Sequence, residues 1–201
     1  RTDRWGHLAA CALALASFAI AVAEFFSMVG RPADDRLVHT TLFSWVSVGR
    51  LQVDFGLQLD QQSMCFVLLI TGVGSLIHIY SIGYMSHDPD RRRFFAYLNL
   101  FLAAMLVLVL ADNYLGLYLG WEGVGACSYF LVSFWHRSEV NAAAGKKAFV
   151  TNRVGDVGFM LGTFLVFTTI GSLNYLDISA AASGIAGTTA VAIGLLFFLG
   201  A

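Results

Sequence analysis

Apolar runs of about 20 residues recur along this sequence, and that recurrence limits the fold more than any single motif does. A bilayer core about 30 Å thick is crossed by about 20 helical residues, each rising about 1.5 Å. The chain of 201 residues is 58% hydrophobic and only 12% charged, whereas a soluble domain is nearer a quarter charged. Its mean hydropathy is +0.72. The sequence therefore predicts an all-α integral membrane protein: a polytopic helical bundle with about six spanning segments, forming a single membrane domain over 1–201.

Helices are predicted at roughly His7–Val29, Gln61–Met85, Phe94–Ala111 and Tyr114–Trp135, with a fifth ending near Ile170 and a sixth starting near Thr188. Residues 31–60 form an extramembrane loop. Within it, Leu42–Leu59 alternates β-branched and aromatic residues and is interrupted at Gly49-Arg50, which predicts either a short β-hairpin or an irregular amphipathic loop. His136–Lys147 is a polar loop entering the fifth helix. Arg1 stands where a Met would begin a complete protein, and an apolar run reaches Ala201, so a segment of something longer is expected.

Basic residues set the predicted orientation. Arg1, Arg4, Arg91, Arg92, Arg93, Arg137, Lys146 and Lys147 fall on one side, and only Arg31, Arg36 and Arg50 on the other. The richer side is cytoplasmic by the positive-inside rule, which places the hairpin outside. A net charge of −1 and the lack of a basic stripe exclude a nucleic-acid partner. Cys11, Cys65 and Cys127 lie in separate apolar runs without metal-ligand spacing, and read as small buried side chains.

The costly residues are the informative ones. Glu122, in Gly120-Trp121-Glu122-Gly123, falls near the middle of its apolar run. A charge at that depth costs roughly 3 kcal/mol on insertion scales. Gly116, Gly120, Gly123 and Cys127 form a stripe of small residues suited to close helix packing. Glu122 lies off that stripe, on a face with Tyr118, Tyr129 and Ser133, whose hydroxyls suit a proton relay; the alternative is one structural pairing with a neighbouring helix. On the next helix Arg153 and Asp156 are spaced to pair locally. Lys146, on nearly the same face as Arg153, and Lys147 would make a charged entrance leading inward; alternatively the ion pair only braces two helices. His78 is the histidine within a spanning helix, either a proton carrier or a ring bonded to Ser75 or Ser81. The candidate proton-transfer residues are thus Glu122, Arg153, Asp156, Lys147, Lys146 and His78. No nucleotide loop or nucleophile triad is present, and no metal site is expected.

Four stretches, Arg93–Phe101, Leu110–Asn113, Gly120–Tyr129 and Lys147–Asp156, resemble the subunit L family of proton-pumping NADH:quinone oxidoreductase, respiratory complex I. The resemblance runs from about Thr41 onward. It implies the antiporter-like fold, related to subunits of multisubunit sodium/proton antiporters, with inverted five-helix repeats that each contain a broken helix. It implies a mid-membrane Glu matched by Glu122, Arg and Asp positions matched by Arg153 and Asp156, and a partner Lys beyond Ala201. It also implies one further helix before the first one here. The function implied is proton translocation coupled to NADH oxidation by quinone, the alternative being a sodium/proton antiporter subunit. No cofactor is implied in this chain; NADH, FMN, iron–sulfur clusters and quinone belong to partner subunits. Expected partners are the other complex I membrane subunits, especially the adjacent antiporter-like one, and lipids. Lys147 fits bacterial and plastid forms, and the implied location is the bacterial plasma membrane.

Overall fold

The computed structural model describes residues 5–200. Arg1 and Arg4, used above for orientation, lie outside them. Helix α1 (Gly6–Val29) leads through a single 3-10 turn (Ala33–Asp35) into strands β1 (Val38–Val48) and β2 (Leu51–Leu59). Helices α2 (Gln61–Tyr84), α3 (Arg91–Leu110), α4 (Tyr114–Val132), α5 (Glu139–Ile170), α6 (Tyr175–Ala181) and α7 (Gly187–Gly200) follow. Among the described residues α1, α2, α3 and α5 are long and apolar enough to cross a membrane. Helix α4 has 19 residues, about 28 Å at the helical rise, and carries Glu122. Helix α7 has 14 residues.

The antiparallel hairpin is present and starts earlier than Leu42, at Val38. It turns at Gly49, whose φ of +56° is a left-handed conformation that glycine adopts without strain. Phe43 stacks on Phe55 at 5.2 Å between ring centroids. Buried Val53 joins Val166 and Leu173 in an apolar cluster, which seats the hairpin on the end of α5. The loop before α5 is shorter than the sequence suggested. Helix α5 already begins at Glu139, because the Ala- and Lys-rich stretch after Ser138 contains good helix formers and no proline. It continues for 32 residues to Gly171, which caps it at φ +86°.

The hairpin passes into α2 through a capping box. Asp60 Oδ1 accepts from Ser63 N at 2.8 Å, and Ser63 Oγ accepts from Asp60 N at 2.7 Å. Burial pushes the Asp60 carboxyl up, but the hydrogen bonds from Ser63, Gln58 and Gln62 outweigh it and hold the carboxyl below its ordinary value. A carboxyl lowered by folding contributes stability above its unfolded pKa and loses it as pH falls through the folded one. Asp60→Ala should therefore cost about 1 kcal/mol at neutral pH. Denaturation of the full-length subunit at neutral and at acid pH checks this: the deficit should shrink in acid.

Packing follows the glycines. A Cβ on Gly120 would stand 2.5 Å from the backbone N and Cα of Leu108, and one on Gly123 would stand 3.0 Å from Ala104 Cβ. Gly116, Gly120 and Cys127 are buried. The predicted stripe is thus the face on which α4 lies against α3. A second stripe, Gly158 and Gly162 of α5, meets Leu196, Phe197 and Leu199 of α7. Cys11 and Cys127 are buried, but Cys65 is exposed, contrary to its reading as a buried side chain. It sits one position after Met64, and only the Ser63–Met64 side of that α2 turn faces the bundle.

Candidate functional site

The site is built where α4 crosses α5. Buried Phe159 stacks on Tyr118 and on Trp121, at centroid distances of 5.7 and 5.9 Å, and so aligns the two helices. With that register, Arg153 Nη1 pairs with Glu122 Oε2 across the interface. The same nitrogen lies 3.5 Å from Asp156 Oδ2, one turn along α5. Trp121 Nε1 donates to Asp156 Oδ1 at 2.8 Å. The guanidinium also lies over the Phe149 ring, 4.6 Å from its centroid. Asp156 is buried, and the Glu122 side chain is 20% exposed.

Two polar atoms of the cluster stay open. Glu122 Oε1 and Arg153 Nε are buried without a hydrogen-bond partner. Such an atom costs about 1–3 kcal/mol unless water or a moving group satisfies it. A cavity of about 570 Å³ adjoins, lined by Trp121, Gly125, Ser128, Asn152 and Gly155 among others. The cluster holds two carboxylates and one guanidinium. With every group ionised it carries one uncompensated negative charge.

Not every candidate joins this cluster. Lys146 and Lys147 are exposed near the start of α5, and no ion pair ties them to Glu122 or Asp156 among the described residues. His78 is buried on α2, and its Nδ1 lies 2.7 Å from Gly74 O. Neither Ser75 nor Ser81 is its partner: the Ser81 hydroxyl donates to Ile77 O, and Ser75 Oγ has no partner. A helix offers each of these side chains a carbonyl one turn back, which competes with side-chain pairing. The expected hydroxyl face of Glu122 also divides. Tyr118, one turn before Glu122, stacks on Phe159. Tyr129 packs against Phe130 and Phe149, and Ser133 donates to Tyr129 O at 2.6 Å while lying against Gly145.

Sequence reading passed over two groups. Trp121 gives no signal until its helix neighbour is known. Asp112, read only as part of a turn, is 1% exposed and 2.8 Å from His39 Nε2. Its neighbour Asn113 donates to Asp54 O at 2.9 Å and caps α4 by accepting from Gly116 N at 2.8 Å. Together they bind the hairpin to the α3–α4 turn. Among the described residues no group of three His, Cys, Asp or Glu could hold a metal ion.

Known proteins match this arrangement along most of its length. A profile described as the N-terminus of chain 5 of NADH-ubiquinone oxidoreductase (complex I) matches residues 45–95. A second, described as the transmembrane region of NADH:quinone oxidoreductase and Mrp antiporters, matches residues 111–201 and so contains Glu122, Arg153 and Asp156. NADH-quinone oxidoreductase subunit L of Mycobacterium tuberculosis (strain H37Rv) is 59% identical over all 201 residues, which are 32% of that relative. The chain belongs to the antiporter-like subunit L family of NADH:quinone oxidoreductase. The Escherichia coli K12 subunit L is 42% identical over 176 residues, 87% of this chain and 29% of that relative. The chain thus spans about a third of the length of the subunit L relatives it matches. Among solved structures, the Mrp complex from Dietzia sp. DQ12-45-1b has a TM-score of 0.83 at 20% identity, over 99% of this chain and 21% of that one. An archaeal membrane-bound sulfane sulfur reductase has a TM-score of 0.77 at 17% identity, over 95% of this chain and 37% of that one. Both share the antiporter-like fold.

Proposed function

We propose that this segment supplies half of a proton site in a subunit that translocates protons while its complex passes electrons from NADH to quinone. The observation that supports the reading best is the excess of one carboxylate over cation among Glu122, Arg153 and Asp156, near the middle of α4 and α5. Glu122 takes up a proton when Arg153 turns toward Asp156, and loses it when Arg153 returns. Opposite charge favours the carboxylate, and removal of that charge in a dry setting favours the acid. Trp121 holds Asp156 in place for the exchange. A lysine from a part of the protein after Ala201 is the proposed second cation. Lys146 and Lys147 gather protons at the cytoplasmic end of α5, and the hairpin lies on the outer side.

In this reading the subunit is a translocase component without a redox site, and NADH, FMN, iron–sulfur clusters and quinone are bound by partner subunits. It sits as a multi-pass protein in a bacterial plasma membrane, beside another antiporter-like subunit. The second family profile covers Mrp antiporters as well, and a sodium/proton antiporter subunit is the competing reading. That subunit would drive exchange without NADH.

Glu122→Gln in the full-length subunit tests the proposal. Inverted vesicles holding the intact complex should acidify more slowly per NADH oxidised, by roughly half or more. Unchanged acidification would sink the proton-site reading.

A further inference from the structure

A second set of unsatisfied polar atoms lies away from Glu122, between α1, α2 and α3. His78 is 1% exposed and Ser75 is 2% exposed, both on the inward face of α2. The Nδ1 of His78 lies against Gly74 O, so that nitrogen carries the hydrogen and donates. Nε2 is left as a lone-pair acceptor, buried without a partner. Ser75 Oγ and His7 Nδ1 are buried without partners too. Thr71 and Ser81, on the same stripe, are satisfied: each donates to the carbonyl one turn back, at 2.6 and 2.7 Å. The open atoms are therefore not a general feature of the stripe.

The two histidines are neighbours through one ring. His7 and His78 lie 6.0 and 6.3 Å from the Phe95 centroid. Groups facing them are Cys11 of α1, whose Sγ donates to His78 O at 3.4 Å, Arg91 at the start of α3, which acts on His7, and Asn99, engaged with Phe95 O at 3.0 Å. Among the described residues no carboxylate forms a hydrogen bond or ion pair with His78. Beside His78 is a cavity of about 320 Å³. Its walls include Phe101 and Met105 of α3, and these two side chains also line the 570 Å³ cavity at Trp121 and Asn152. Phe101 and Met105 thus border both spaces, the one beside His78 opening between the exposed side chains Leu69, Val73 and Ile77.

We infer that His78 is a second buried proton acceptor, supplied from the His7 end of α1 and separated from the Glu122 cluster by a partition of Phe101 and Met105. The inference rests on the reading of Glu122 as a proton site and adds a feeder to it. The step is a proton transfer only. A hydronium relayed by water on the His7 side gives its proton to Nε2 and is left as neutral water, and the ring becomes imidazolium while Nδ1 keeps its bond to Gly74 O. When the partition parts, Nε2 returns the proton to water on the Trp121 side.

The test uses the intact complex in vesicles, with His78→Asn and Phe101→Ala in the full-length subunit and Glu122→Gln as reference. Asparagine can still donate to Gly74 O but takes up no proton near neutral pH. His78→Asn should lower protons moved per NADH by roughly two-fold or more and change the shape of pumping against pH, which a packing defect would not. Phe101→Ala should raise passive proton leak without NADH, and adding His78→Asn should abolish that rise. Loss of pumping in Glu122→Gln but not in His78→Asn overturns the feeder and leaves the Glu122 reading standing. Normal pumping in both removes both. An unchanged leak in Phe101→Ala overturns the partition, even where His78→Asn fails to assemble.

Discussion

Arg153→Leu should destabilise the subunit by about 3 kcal/mol, the lower end of the cost of removing one partner of a buried ion pair. The lower end applies because 37% of the Arg153 side chain is accessible here. The loss goes beyond one contact. Glu122 and Asp156 both depend on this guanidinium, and its removal leaves two carboxyls facing each other in a poorly solvated interface. They respond by binding protons. Thermal unfolding of the purified subunit in detergent measures the effect, and the double variant Arg153→Leu/Glu122→Gln should recover part of it. A deficit of a few tenths of a kcal/mol, with no recovery, would mean that the pair is solvated like a surface one.

Gly120→Val should be about as costly, for a different reason. The added carbon would meet backbone atoms of Leu108 at 2.5 Å. A side chain can turn aside, but the backbone of a helix cannot do so locally, so α3 and α4 must part along their length. Overpacking of this kind costs typically about 1–3 kcal/mol, occasionally more. Gly123→Ala is the graded control. Its contact, 3.0 Å from the Ala104 methyl, asks for a small shift, and the loss should be clearly smaller. Assembled subunit recovered from membranes and its unfolding temperature give the order. Equal stability of Gly120→Val and wild type would refute the close approach.

The glycine stripe was legible because it is a property of one helix, set by a period of 3.6 residues. The hairpin was legible from its alternation and its Gly49-Arg50 break, although its true start at Val38 lies in a stretch with weaker alternation. The Arg153–Asp156 pair was visible for the same reason as the stripe. Its link to Glu122 was not, because angular position on a helix wheel does not name the helix opposite. That is also why Tyr129 and Ser133 were placed with Glu122. Both share its side of α4, but Tyr129 packs against Phe149 and the Ser133 hydroxyl turns back to its own helix. His39 and Asp112 are 73 positions apart, and nothing local in either suggests the other. The buried nitrogen of His7 could not be foreseen from a position at the start of a helix, because it is the Phe95 ring of another helix that lies against it.

Gly120 also has a mechanical consequence. Helices pressed backbone to backbone cannot slide past one another by changing rotamers. The α3–α4 pair therefore acts as a stator, and Glu122 is bolted to it. On the other side of the site, Glu122 is met by the long, partly exposed side chain of Arg153, which can swing. If charge moves as proposed above, the stroke is a swing of the Arg153 arm on α5 over a carboxylate that stays where it is.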